Sequence, residues 1–288
     1  ITTVSLALTG TVIMMYISGD WLLLSVIILF MIGVFWAARQ TLPLYWKQIR
    51  TLLNIGSIRE SERVIYQGLP YKVVRLNLDT IFENPDLDNS LVRLPLKDVV
   101  GFYSRPSSKG EPWFPCRSRD WVILSDGAYG QVLHQTQDLV QLQLPGNAQK
   151  TYQTMEFLDQ TPTNISCGFR ISTTFGVDYS LQDRIAEEVP NNLAESIRSN
   201  MDRAGYAQFM LMLAVEFESA NSSSRDLLIT VDMDGKAAPH YFNIKRALQR
   251  FAVIACNEFN YGIPYPHMVL KAEIHSPVNV NLPVRSQS

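Results

Sequence analysis

Four histidines (His134, His240, His267, His275) and three cysteines (Cys116, Cys167, Cys256) are the side chains that could ligate a metal or act as nucleophiles. None stands at the close, repeated spacing that gathers ligands round a zinc ion, so the histidines are expected at surface or packing positions. Asp232-x-Asp234-Gly235 has the opening of a calcium loop, but the later ligands and closing Glu are missing; a hairpin turn is the simpler expectation. Gly168 and Gly176 do not form a phosphate-binding loop, and Ser125, Ser166 and Ser172 sit in no nucleophile-elbow pattern. These residues argue against an enzyme, a metal centre and a cofactor. The odd, scattered cysteines fit reduced thiols in a cytosolic compartment rather than a disulfide framework.

The informative stretch is instead Trp21 to Gly56. Positions 21–38 carry no charge, and a helix of that length reaches roughly 27 Å, enough to cross a bilayer core. Arg39 and Gln40 end the apolar run, and Pro43 is expected to break the helical ladder. Leu42, Tyr45, Trp46, Ile49, Leu52 and Leu53 then fall at helical spacing, with Arg39, Lys47, Gln48, Arg50 and Asn54 on the other face. Gly56 is the expected C-terminal stop. Residues 1–19 form a second apolar segment without a basic leader or cleavage site, so a transmembrane hairpin is expected over 1–56. The chain does not begin with Met, and further membrane helices are expected before it. Arg39, Lys47 and Arg50 follow the second span, which places the later domains in the cytoplasm by the positive-inside rule.

The 288 residues carry a net charge of −2, which gives no electrostatic pull toward nucleic acid. Residues 57–106 read as a small β-domain with strands near Val64–Tyr66, Lys72–Leu78 and Leu91–Leu94. Ser104 to Pro115 reads as a linker. Setting Gly68 over Gly127 also aligns Val73 with Val132, Asp79 with Asp138 and Ile81 with Val140, so 107–166 is expected to be a linker and a second β-domain of the same plan. From 167 to 275 strands and helices alternate: a strand at Gly168–Val177, a helix at Ser180–Ala204 split at Pro190, strands at Phe209–Glu218 and Leu227–Asp234, a helix at Tyr241–Tyr261 closed by Gly262, and a strand at His267–Ile274. That order, βαββαβ, is a ferredoxin-like α+β domain. The alternating tail Val278–Leu282, in 276–288, could add a strand. The fold class expected is thus a mixed α and β membrane protein.

Two functions fit the periodicity alike. Gly33 and Ala37, four apart, suit close packing of helices around an axis, as a pore would need. A lipid-facing anchor for a non-conducting scaffold or sensor needs no more than the apolar run. A tethered binder of single-stranded nucleic acid is disfavoured, because the second β-domain is not basic and Tyr66, Tyr71 and Tyr129 are expected to pack in cores.

The order of parts resembles the small-conductance mechanosensitive channel (MscS) family. Arg59-Glu60-Ser61-Glu62-Arg63-Val64, leading to Gly68 and Val73, is similar to the family's approach to its β-domain. Leu94-Pro95-Leu96-Lys97 resembles its apolar-Pro-Asn turn, and Gly262-Ile263-Pro264-Tyr265-Pro266-His267-Met268 its Gly-Ile-x-x-Pro-Tyr-Pro-x-Met ending. Most members have one β-domain, where two are expected here. The resemblance implies a homo-oligomer, usually a heptamer, of the inner or plasma membrane, opened by tension and passing ions and small solutes. It sets Gln40 on a family Gln before the helix break and puts Thr41 where the family has glycine, so Thr41 and Pro43 become the hinge. Gly33 and Ala37 fall where pore leucines stand in other members; otherwise Phe30, Met31 or Val34 forms the constriction. Tyr45, Trp46, Lys47 and Arg50 are the residues expected at the lipid interface.

Overall fold

The computed structural model describes residues 2–19 and 21–264, except for the side chains of 2–8, 15, 40, 41 and 44. The strands expected at His267–Ile274 and Val278–Leu282, and the motif from Tyr265 onward, lie outside the described residues. The chain divides into two compact units between Asn164 and Ile165.

The first unit opens with helix α1 (Thr2–Ser18) and helix α2 (Trp21–Leu52). Gly19 joins them at φ +79°, a left-handed conformation suited to glycine. Tyr16 and Trp21 meet edge to face across the turn at 5.5 Å. The expected break at Pro43 is absent: α2 is one helix of 32 residues with Pro43 inside it. A proline removes a single donor, here toward the Arg39 carbonyl, and the bonds on either side keep the helix continuous. The stop also differs. Asn54 takes the left-handed position at φ 57°, with Ile55 N–H donating to Arg50 O and Asn54 N–H to Thr51 O, each at 3.0 Å. That is a Schellman cap with asparagine in the glycine role. Gly56 serves close approach instead: a Cβ there would lie 3.0 Å from Thr51 Oγ1 and 3.2 Å from Thr51 Cα.

Two five-stranded antiparallel sheets follow. The first holds β1 (Arg63–Tyr66), β2 (Leu69–Arg75), β3 (Asp79–Glu83), β4 (Val92–Pro95), a helical turn α3 (Leu96–Val99) and β5 (Ser104–Arg105), ordered β4-β3-β2-β1-β5. The second holds β6 (Trp121–Ile123), β7 (Tyr129–Gln135), β8 (Leu139–Gln143), β9 (Gln149–Gln153), α4 (Thr154–Asp159) and β10 (Thr163–Asn164), ordered β10-β6-β7-β8-β9. Each is a four-strand meander whose short helix leads to a fifth strand paired with the first. Both central hairpins break register at one place, between Val73 and Arg75 and between Val132 and His134. Leu96 N–H donates to Leu78 O, and its counterpart Thr154 N–H to Asp138 O.

Register corrects the alignment read from sequence. Val73 faces Phe82 and Val132 faces Leu142, while Thr80 faces Leu94 and Val140 faces Tyr152. Thr80, not Ile81, is therefore the counterpart of Val140, and both are buried while Ile81 is only partly so. Strand β3 was not foreseen, because Asp79 and Glu83 mask a five-residue strand with two buried positions. The expected linker contributes β5 at its start and the buried Phe114 near its end. The two sheets share one hydrophobic cluster, from Ile58 and Val64 to Tyr152 and Phe157. Asp126, in the β6–β7 turn, is held at about 2 by hydrogen bonds from Lys150 Nζ, then Ala128 N–H and Tyr152 Oη.

The second unit contains β11 (Phe169–Val177), α5 (Glu188–Arg203), β12 (Met210–Ala220), β13 (Arg225–Met233) and α6 (Tyr241–Glu258), with sheet order β11-β13-β12. A 3-10 segment, Tyr179–Arg184, precedes α5, so Pro190 falls in the first turn of α5, where no donor is missed. The apolar stripe Leu181, Ile185, Val189, Leu193, Ile197 and Met201 is buried against the sheet. Asp234-Gly235 makes no hairpin: the Asp234 side chain caps a 3-10 turn by accepting from Lys236 N–H. Helix α6 ends at Asn260, φ 55°, with Tyr261 N–H bonded to Cys256 O, rather than at Gly262. Phe242 is 39% exposed, and Ile244 takes the core position.

Candidate functional site

Helix α2 presents two faces along its apolar length. Leu24 is buried, and Ile27, Ile28, Met31, Ile32 and Phe35 line a groove with Val12 of α1. At about 100° per residue, Phe30, Gly33 and Ala37 project away from that groove. Phe30 is 69% exposed, Val34 47%, and apart from Gly33's chain neighbours and the surrounding helix backbone no described atom lies within 4 Å of where a Gly33 Cβ would sit. The gate candidates Phe30, Gly33 and Ala37 thus share one exposed face, with Val34 at its margin and Met31 turned to the groove. Gln40 and Thr41 lie in the helix, and their side chains are outside the described residues.

From Leu42 onward the apolar stripe remains uncovered: Leu42, Tyr45, Trp46, Ile49 and Leu53 are all exposed. The opposite side meets the loop between α3 and β5. Thr51 is buried, donates from Oγ1 to Lys47 O at 3.0 Å and packs on Gly56. Lys47, Arg50, Thr51, Gly56, Ser57 and Tyr103 line a cleft of ≈ 280 Å³ with Val100 and Gly101. The sheet is tied to this junction by Ser57 Oγ donating to Phe102 O at 2.7 Å, Ser104 N–H to Ser57 O at 3.0 Å, and Glu60 N–H to Asn54 Oδ1 at 2.9 Å. Thr51, Ser57 and Ser104 were not singled out from sequence. Asn54 followed by Gly56 was the available signal, since both residue types favour helix ends. Arg50 and Lys47 belong to this cleft, whereas Tyr45 and Trp46 lie on the uncovered stripe.

Among the described residues no three of His, Cys, Asp and Glu are gathered as a metal would require. His134 Nδ1 lies 3.9 Å from Asp88 Oδ2, and the His240 ring stands 6.1 Å from Tyr206. Ser125 Oγ donates to Gln160 Oε1, and Ser172 Oγ pairs with Thr230 Oγ1.

No family model and no curated protein matches the sequence. Among solved structures, the chain is similar to Arabidopsis thaliana MSL1 at 16% identity and a TM-score of 0.39, over 53% of this chain and 54% of that one. It is similar to wild-type AtMSL1 at 15% identity and a TM-score of 0.41, over 53% and 52%. Helicobacter pylori MscS in its closed state is matched at 16% identity and a TM-score of 0.31, over 88% and 74%. The chain spans about half the length of the MSL1 chains that it matches. At these scores the likeness bears no functional weight. What the chain has in common with these MscS-family structures is a mixed α and β fold with an apolar N-terminal helix and several sheets.

Proposed function

We propose that copies of this chain assemble in a bilayer as a channel that opens under membrane tension and passes ions and small solutes. One observation supports the reading above others: the span Trp21–Arg39 is long and apolar enough to cross a membrane, and apart from Leu24 its described side chains are exposed or only partly covered. An apolar helix with its Phe30, Gly33 and Ala37 face outward needs lipid or other copies of itself. With copies packed through Gly33 and Ala37, apolar side chains close a dewetted constriction. Tension favours the state with the larger in-plane area, so the helices separate. The stripe Tyr45, Trp46 and Ile49 lies at the lipid interface, and the Thr51–Gly56 junction carries helix motion into the β-sheets. A heptameric ring, a second span at α1, a plasma or inner membrane location and a cytoplasmic C-terminal side complete the proposal.

An exposed apolar helix also suits a non-conducting anchored scaffold. Patch recording from liposomes under suction ramps separates the two. Discrete openings that increase with suction are expected, with a shifted threshold in Gly33→Leu. Silence up to rupture, with insertion verified, would refute the channel. A Gly33→Leu threshold equal to the parent's would remove Gly33 from the gate.

A further inference from the structure

On α6, Arg246 and Arg250 stand one helical turn apart and both are exposed. Like charges at this spacing oppose one another on a helix, and nearby acids ordinarily offset them. Among the described residues neither arginine has such a partner: the ion pairs there engage Arg63, Arg105, Arg117, Lys150, Arg170 and Arg184, with His134 beside Asp88. The two guanidinium groups line a cleft of ≈ 410 Å³ together with Asn243, Ala247 and Tyr206. Among the described residues no carboxylate lines it.

The donors are held in place. Asn243 Oδ1 accepts a hydrogen bond from Arg246 Nη2 at 2.7 Å, which orients that guanidinium and leaves the Asn243 amide nitrogen as a further donor. The Arg250 guanidinium lies 5.1 Å from the centre of the Phe251 ring, a cation–π distance. Tyr206 packs on the core and is fixed by its N–H bond to Met201 O at 2.9 Å, after the left-handed Gly205. Tyr206 thereby forms one wall of the cleft.

We infer that this cleft is an oxyanion site for phosphate or a small soluble phosphomonoester. Two guanidinium groups match the charge of a phosphate dianion, and their planar forks suit its oxygens. A monocarboxylate would leave one cation unmatched. The site is independent of the channel reading, since it lies wholly within the second unit.

The test is calorimetric titration of the full chain in detergent with inorganic phosphate, at constant ionic strength near about 0.15 M so that general screening is fixed. Saturable binding of one phosphate per chain is expected, with acetate weaker. Arg246→Gln and Arg250→Gln should each weaken it about tenfold or more, as loss of a charge-assisted contact does. Lys245→Gln, next to Arg246 but outside the cleft, should leave it unchanged, and circular dichroism of all three variants should match the parent. Competition by glycerol 3-phosphate would support a soluble ester. No saturable binding, an equal loss in Lys245→Gln, or binding only to phosphatidic acid in nanodiscs would overturn the assignment.

Discussion

Single residues of one type play different parts in this chain, and neighbours decide which. Cys116 and Cys256 are buried, and Cys167 is exposed. Burial pushes the Cys116 thiol up to about 12, with the Asp120 and Asp86 charges adding to it, and burial alone lifts Cys256 to about 11. A raised value keeps the thiol protonated, and only the thiolate attacks. A maleimide at about pH 8 is therefore expected to label one thiol per native chain, at Cys167, and all three after denaturation. Rapid modification of Cys116 in the native protein would contradict the core placed here. The glycines differ in the same way. Gly33 faces open space, whereas a Cβ on Gly235 would fall 1.8 Å from Ser166 O.

At the scale of elements, α2 sets the connection between the apolar span and the β-sheets. Its continuity through Pro43 makes the missing bond to Arg39 the weakest rung of the ladder. Pro43→Ala should restore that bond and stiffen the helix by up to about 3 kcal/mol. In suction-ramp recordings the expected consequence is a shifted opening threshold; an unchanged one would show that bending at Pro43 plays no part. The far end depends on Asn54 in a left-handed conformation. A β-branched residue there would be strained by roughly 1–2 kcal/mol, which Asn54→Val should reveal as a lower melting temperature. Asn54→Gly keeps the conformation and loses only the bond to Glu60 N–H.

For the whole molecule, the exposed apolar length of α2 is the largest unresolved demand. A surface of that kind, including Leu22, Leu29, Phe30, Phe35 and Trp36, must be covered by lipid or by other copies. The protein should stay in the membrane pellet after alkaline carbonate extraction. In detergent its protein mass should be a whole-number multiple of 32.7 kDa greater than one. A monodisperse monomer would favour the scaffold over the channel, because one helix encloses no aqueous path. The paired sheets add a second consequence of scale: the joint core from Ile58 to Phe157 makes residues 57–164 melt together rather than as two steps.

Much of this could be read from sequence because it follows from local pattern. The apolar run 21–38 declares itself by the absence of charge, and the buried stripe of Leu181 to Met201 by its helical spacing. The likeness of the two β-segments was legible in Gly68 and Gly127, which turn the first hairpins. Its register was not. A three-residue turn at Ser125–Gly127 and the neighbouring loops shift equivalent positions by a residue at a time, and only strand pairing fixes which side chains face inward. Helix ends were likewise misplaced by a few residues at Gly56 and Gly262, since Asn54 and Asn260 reach the left-handed position first. The phosphate cleft shows the same limit. Arg246 and Arg250 are an ordinary charged pair in the sequence, and only packing brings Tyr206 from the end of α5 beside them. Local periodicity is set by bonds along the chain; register, shared cores and converging donors depend on contacts between residues far apart in it, and those the tertiary structure alone decides.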